Sequence, residues 1–400
     1  MLGTLLFWIG LVVSLGIGFV YFRDLGDVSQ MVLKVKRENM IRVIRHEGRF
    51  VAVGLAGAIV MAVAHIGAGA GPSFAFWTAA ALTAFLYGFP WIWVHLGLRN
   101  QMNGAKYYSI EEAQKHINPA DSVMVIEKNG VARAHSDHEL MRPHLAGNDE
   151  GLDGDNVVMT YCAMANLGIG YTPEIEGQKL DLQVLAQHGN NLILRDNETR
   201  EPIQHIYGWR EADGANGPAM KPWPTYRMSF RGFQKAFPDG TVFLNKPSSN
   251  PLLRLLDLVT DAVFSMGIAQ QHRDERPVMD NMTREDPRLP NKTYVWGINI
   301  RDDAVCYTED FIVEQGGVVN AVIGEGKVVI ARDPIYESVG AYYNDSDAPA
   351  TSIDFFGNSD QGVLRRVETL KAGLFWHVWA EFYPNTDINR VVQSAAGAIA

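Results

Sequence analysis

Cysteine is nearly absent: 400 residues contain two, Cys162 and Cys306. A pair so far apart excludes a disulfide framework and a Cys-rich zinc module. Basic charge is in deficit, with 35 Lys+Arg against 45 Asp+Glu and a formal net charge of −10. Nucleic-acid binders concentrate Lys and Arg to neutralise phosphates, so no nucleic-acid partner is expected. No G-x-S-x-G, H-E-x-x-H or complete phosphate-binding loop occurs, and Gly168-Ile-Gly170 stands alone. Charge of either sign is missing from Met1 to Phe22. What is abundant is apolar residue, 47% of the chain, too much for a disordered protein and enough for one large or two ordinary domains.

Those apolar residues are concentrated before residue 98. The run 1–22 matches the roughly 20 residues a helix needs to cross the hydrocarbon core. It lacks the Lys or Arg that precedes the apolar part of a cleaved signal peptide, so a retained span is expected. Two further runs, about 50–70 and 73–98, are separated by Gly69-Ala70-Gly71-Pro72, and the second ends in Trp91, Trp93 and His95, as suits an interfacial belt. Residues 1–98 therefore read as a three-span membrane anchor with the lipid bilayer as its partner. Arg23, Lys34, Lys36, Arg37, Arg42, Arg45 and Arg49 fill the first connector, whereas the second turn and the N-terminus hold no Lys or Arg. The positive-inside tendency puts that connector, and everything after Arg99, in the cytoplasm. Residues 28–44 read either as a basic amphipathic helix on anionic lipid or as a solvated connector. Beyond residue 98 the net charge is −13, and so acidic a domain is expected to stand off from an anionic membrane.

The soluble part carries a repeat. Val123-Met-Val-Ile-Glu-Lys-Asn-Gly-Val-Ala132 aligns with Val295-Trp-Gly-Ile-Asn-Ile-Arg-Asp-Asp-Ala304 at an offset of 172, and 157–162 with 328–333 at 171. Phe230, Phe233 and Phe237-Pro238 match Trp376, Trp379 and Tyr383-Pro384 at 146, so both copies close with i, i+3, i+7 aromatics before a Pro turn. Short β-branched segments at 123–126, 157–161, 192–194, 295–300, 318–322, 328–330 and 352–356 read as strands. Segments 109–116 and 227–237 read as helices, the first begun by a Ser cap and the second ended by Pro238. The expected fold class is α+β: three N-terminal transmembrane helices, then a β-rich, internally duplicated soluble domain with two pseudo-twofold-related halves at 105–245 and 291–390. Between them, 246–290 is a linker in which 251–267 bears Leu252, Leu253, Leu255, Leu256, Val259, Val263 and Phe264. That helix is expected either to dock on the domain or to lie on the membrane surface.

The run Val157-Val-Met-Thr-Tyr-Cys162-Ala-Met-Ala-Asn166, preceded by Asn129-Gly130-Val-Ala-Arg133 and His144, resembles the bacterial domain-of-unknown-function family DUF3179. So do Asn191-Leu-Ile-Leu-Arg-Asp196, Asp286-Pro-Arg-Leu-Pro-Asn-Lys292, Gly317-Val-Val-Asn320 and Phe375-Trp-His-Val-Trp379-Ala-Glu-Phe-Tyr-Pro384. The resemblance spans about 105–390. The family has no settled activity; its usual Thr-Tyr-Cys-x-x-Cys run and its selenoprotein members imply thiol redox chemistry or metal binding. Here the second Cys of that run falls on Ala165, so a dithiol at this motif is missing. The three spans read as a multi-pass inner-membrane protein, and the resemblance sets the exported side, expected for many relatives, against the cytoplasmic placement from charge.

Cys162 follows a strand, where reactive groups are displayed, and its counterpart in the second half is Asp333. A reactive thiolate needs nearby cations, for which Arg133, His135, His138, Arg142 and His144 are candidates. The alternative is a small buried hydrophobe. The expected catalytic set is Cys162 tuned by His144 or His135. Cys162, His135, His138 and His144 are also donors that copper, zinc or iron would accept, with His135-x-x-His138 on one helical face; surface histidines are the alternative. Cys306, Trp376, His377 and Trp379 are expected to be packing residues. His188-Gly-Asn-Asn191 and Asp196 are expected in turns or beside Cys162. Two function classes follow: a membrane-anchored thiol redox or metal-binding protein, an oxidoreductase if enzymatic, or a non-enzymatic binding or scaffold module with a membrane-protein partner.

Overall fold

The structure, a computed structural model, describes residues 2–67, 73–214, 217–279 and 281–391. Three helices are long and apolar enough to cross a membrane: α1 (Leu2–Leu25), α2 (Arg37–Gly67) and α3 (Phe74–Ile92), the last prolonged by a π-helical turn to Gly97. The turn expected at Gly69-Ala70-Gly71-Pro72 lies outside the described residues. Side chains pointing away from the bundle are apolar, among them Val12, Ile59, Ile66 and Trp77. Between helices the contacts are made by small residues: Gly10, Ser14 and Gly18 recur every fourth position on α1, and a Cβ on Gly10 would lie 2.6 Å from the Gly57 carbonyl oxygen on α2. Such close approach supplies the dispersion contacts that hold helices together in lipid.

α2 begins well before the span expected from residue 50, because its first turns have a protein partner. Arg37 pairs with Glu211 and donates to Gln204 Oε1 at 2.6 Å, and Arg45 pairs with Glu201 at 2.6 Å. Residues 28–44 are thus neither one amphipathic helix nor a solvated connector; a 3₁₀ turn, Asp27–Met31, precedes α2. The acidic domain's carboxylates meet the anchor's arginines. A kink at His46 (φ −118°, ψ 23°) immediately precedes Glu47. The buried Glu47 carboxylate accepts from Tyr21 Oη (2.8 Å), His95 Nε2 (2.8 Å) and Arg195 Nη1 (2.6 Å), one group each from α1, the end of α3 and the domain.

Beyond the anchor the chain is β-rich. In its first half an antiparallel hairpin, Ser122–Lys128 with Val131–Ser136, is flanked by antiparallel Thr225–Ser229 and by parallel Thr241–Phe243. In the second, Tyr294–Ile300 with Asp303–Tyr307 is flanked by antiparallel Lys371–Phe375 and by parallel Asp387–Ile388. Each half also has an antiparallel four-stranded sheet. One runs Leu145–Ala146, Val158–Cys162, Leu167–Thr172, Lys221–Trp223, and the other Val318–Ile323, Gly326–Asp333, Ser338–Tyr343, Arg365–Arg366. Register positions coincide with the sequence offsets: Ala134 pairs with Val125 as Cys306 pairs with Gly297, and Cys162 with Leu167 as Asp333 with Ser338. The first half also carries a third sheet, of three strands, Leu182–His188, Asn191–Asp196 and Pro202–Gln204, with no three-stranded counterpart among the described residues of the second, and this sheet meets the anchor through Gln183, Arg195 and Gln204.

Two expected elements differ. Residues 352–356 form no strand: Phe355 is buried against Tyr226 and Phe237, and its N–H goes to the Asp333 carboxylate. Residues 227–229 end a strand, and the helix Phe230–Ala236 starts only after the Ser229 cap, because pairing with Ser122–Lys128 outweighs local helix preference.

Removing the Glu47 carboxylate would leave Arg195, whose side chain is 5% exposed, without its ion-pair partner, at a cost of about 3–5 kcal/mol. Glu47→Ala is expected to lower the thermal midpoint of the detergent-solubilised chain and to speed tryptic cleavage at the junction. An unchanged midpoint and cleavage pattern would show that the junction does not depend on this carboxylate.

Candidate functional site

Cys162 is the last residue of its strand and is fully buried, with Sγ donating to the Asn190 carbonyl at 3.5 Å. Gly189 and Asn190 form the turn before Asn191–Asp196, both at positive φ (62° and 55°), as the tight turn of a twisted two-residue hairpin requires. One of the expected turn residues therefore touches the thiol. His144 is brought alongside, and its Nδ1 donates to the Tyr161 carbonyl at 3.0 Å. A carbonyl only accepts, so Nδ1 carries the hydrogen and Nε2 is left as a bare acceptor. Burial pushes His144 down to about 4, so the ring is neutral near pH 7.

Cys162 and His144 line one cavity of about 40 Å³, with Trp93 and Leu98 from the end of the anchor, Phe264 from the helix Pro251–Arg273, and Gln187 from the third sheet. A single water needs only roughly 10–15 Å³. Gln187 is 4% exposed, and neither its amide nitrogen nor its oxygen has a partner within the protein. A buried polar group in that state costs about 1–3 kcal/mol, and here it stands in the wall of a cavity that is otherwise mostly apolar.

The remaining expected site residues go elsewhere. His135 lies buried on Val131–Ser136 with Nε2 3.0 Å from Tyr107 Oη, and burial pushes it down to about 3. His138 sits in the short helix Asp137–Leu140 with its side chain 77% exposed, so the two rings share no helical face. Arg133 donates to Asn148 and lies 4.3 Å above the Tyr107 ring. Arg142 is engaged by Asp257 (3.1 Å), Asp261 (2.5 Å) and the Gly97 carbonyl (2.8 Å). Among the described residues no three His, Cys, Asp or Glu side chains converge as a metal ion would require. Cys306 is buried, and burial pushes its thiol up to about 12. Gly168 is a close-packing position, where a Cβ would lie 1.9 Å from Met124 Sδ. Trp376 and Trp379 are fully buried, and His377 donates from Nδ1 to the Asn291 carbonyl at 2.7 Å.

Sequence reasoning missed Gln187 and a polar chain behind it. Arg37 donates to Gln204, Gln204 Nε2 to Asn191 Oδ1 (2.7 Å), Asn191 Nδ2 to His205 Nδ1 (3.2 Å) and His205 Nε2 to Thr160 Oγ1 (2.7 Å). The anchor is thereby wired to the strand that ends in Cys162. The available signal was the placing of Gln187 and Gln204 in strand segments beside Leu185-Ala186 and Pro202-Ile203. Residues 101–386 match the family described as protein of unknown function, DUF3179. No curated protein and no solved structure matches the chain.

His135, His144, His188, His205 and His377 are all held below their ordinary value by burial. The unfolded chain binds protons at these imidazoles that the folded chain does not. Their contribution is therefore fully present above about pH 6.5 and is lost as pH falls through about 4 to about 3. Denaturant titrations across that range are expected to show the decline, and His144→Gln to flatten it. An unaltered slope in that variant would overturn the assignment of a buried neutral ring at His144.

Proposed function

We propose that this chain, which belongs to the DUF3179 family of proteins of unknown function, is a membrane-anchored binding protein. Its cavity at Cys162 and His144 takes the hydroxyl-bearing end of a lipid-soluble molecule. The observation that carries this reading is the unpartnered Gln187 amide in the wall of an otherwise mostly apolar cavity where the domain meets the anchor. A hydroxyl accepts from the Gln187 amide nitrogen and donates to Gln187 Oε1 or His144 Nε2, while Trp93, Leu98 and Phe264 take apolar carbon. A carboxylate fits worse, because the neutral His144 offers no charge to offset its burial.

The thiol redox reading is supported by Cys162 standing in the same wall and by the Thr-Tyr-Cys run. His144 is neutral and Arg133 and Arg142 are engaged by Asn148, Asp257 and Asp261, and the unpartnered Gln187 amide makes binding the better-supported function. Metal binding through Cys162, His135, His138 and His144 has less support, given their separation. A scaffold for a membrane-protein partner is disfavoured where Glu201 and Glu211 already engage the chain's own anchor.

Duplication is part of the same reading: the shared strand order and coincident registers support it, with 1–98 as anchor, 105–245 and 291–390 as halves and 246–290 as the connection. On this reading the second half placed Asp333 where the first kept Cys162. The domain side is cytoplasmic, supported by the seven Lys and Arg between residues 23 and 49 at the end where the domain docks. An alkaline phosphatase fused to the C-terminus is expected to be inactive; an active fusion would place the domain on the exported side.

A long-chain fatty alcohol, the corresponding acid and the alkane test the ligand class on the detergent-purified chain. The alcohol is expected to raise the thermal midpoint and to slow alkylation of Cys162, with the acid weaker and both effects lost in Gln187→Leu. Equal effects of all three, or none, would overturn the proposal. Cys162→Ser is expected to retain alcohol binding; a rapidly alkylated native thiol, with no alcohol effect, would favour the redox reading instead.

A further inference from the structure

The helix Pro251–Arg273 is built inside out. Its covered side is largely polar: Asp257, Thr260 and Gln271 are buried, with Phe264 the one buried apolar side chain among the described residues of the helix. Asp257 accepts from Arg142 and from the Ser248 N–H, and Gln271 donates to the Met164 carbonyl at 2.7 Å. Its outward side is apolar, with Leu252 79%, Leu255 61%, Leu258 60% and Met266 67% exposed and Val259 beside them. The spacing keeps these residues in one stripe over about four turns. A contiguous apolar stripe facing water is rare on a monomeric soluble surface.

The neighbours say what covers it. Phe264 stacks on Trp93 at the end of α3, with ring centroids 5.3 Å apart and planes at 17°. A Cβ on Gly97 would lie 3.2 Å from Thr260 Cγ2, so the helix lies directly against the last turn of the third span. On that same end of the third span Trp91, Ile92 and Leu96 are exposed as well, so outward apolar side chains stand on both of the elements that pack together there. Arg142 clamps the two together, donating to the Gly97 carbonyl and to Asp257 at once. The stripe stops after Met266, where Gln270, Gln271, His272 and Arg273 follow.

We propose that Pro251–Arg273 is an interfacial helix whose stripe of Leu252, Leu255, Leu258, Val259 and Met266 is seated in the hydrocarbon of the bilayer that α1 to α3 cross. Polar contacts fix it to the anchor, and lipid takes its leucines; this is the inverse of a helix docked on a soluble core. The membrane contact of the protein is then four helices, with the fourth contributed by the connection between the two halves.

The test uses the full chain reconstituted in phosphatidylcholine–phosphatidylglycerol nanodiscs. A nitroxide is placed in turn at Leu255→Cys, Leu258→Cys and Met266→Cys, with Ile59→Cys on α2 and Val363→Cys on the domain as references. The parent chain, with its buried Cys162 and Cys306, sets the labelling background. Power saturation is expected to show the three stripe positions accessible to oxygen and shielded from a nickel chelate, as at Ile59, with the reverse at Val363. Nickel-accessible stripe positions beside a lipid-shielded Ile59 would overturn the proposal. Dipolar broadening between labels on different copies would also overturn it, by showing a second chain on the stripe.

Discussion

The Glu47 carboxylate is buried where three apolar helices meet a β-rich domain, and it has to be satisfied from both sides at once. Tyr21 and His95 reach it from the anchor and Arg195 from the third sheet. Left alone, either member of such a pair costs ~3–5 kcal/mol, so the position of the domain on the anchor follows from this requirement. The Arg37–Glu211, Arg45–Glu201 and Arg142–Asp257 pairs surround the same junction. The cavity beside Cys162 lies among these contacts, where the third sheet, the end of α3 and Pro251–Arg273 meet without filling the space between Trp93, Leu98 and Phe264.

The loop after Cys162 is where the two halves and the connecting helix meet. The Ala163 carbonyl accepts from His272 (3.3 Å), that of Met164 from Gln271, and that of Ala165 from the Phe375 N–H (3.0 Å). All three carbonyls lie in the turn between Val158–Cys162 and Leu167–Thr172, where the Ala163 carbonyl also accepts from the Asn166 N–H at 3.3 Å. Ala165, at the place of the family's second cysteine, is fully buried in this contact. A run that resembles a redox motif is here also a packing hub.

Much of the candidate site was out of reach of sequence reasoning for one reason: its groups come from residues 93, 144, 162, 187 and 264. Cys162 and His144 carried local signals, a strand end and a nearby imidazole. His135 and His138 carried the same kind of signal and lie elsewhere, because a strand-to-helix boundary falls between them. Gln187 carried almost none, since a polar residue in a strand announces burial only when its neighbours in space are known.

By itself the sequence determined the three apolar helices, the β-rich remainder, six of the strand positions and the family, because these depend on runs, periodicity and ordered motifs within the chain. Tertiary structure alone decided that α2 starts at Arg37, that the acidic domain docks on the anchor, and that Pro251–Arg273 buries its polar face. Each of those outcomes depends on pairing a buried charge or amide with a group far away in the chain. Burial of such groups is stable only when the distant partner is in place, and no local pattern records where that partner is.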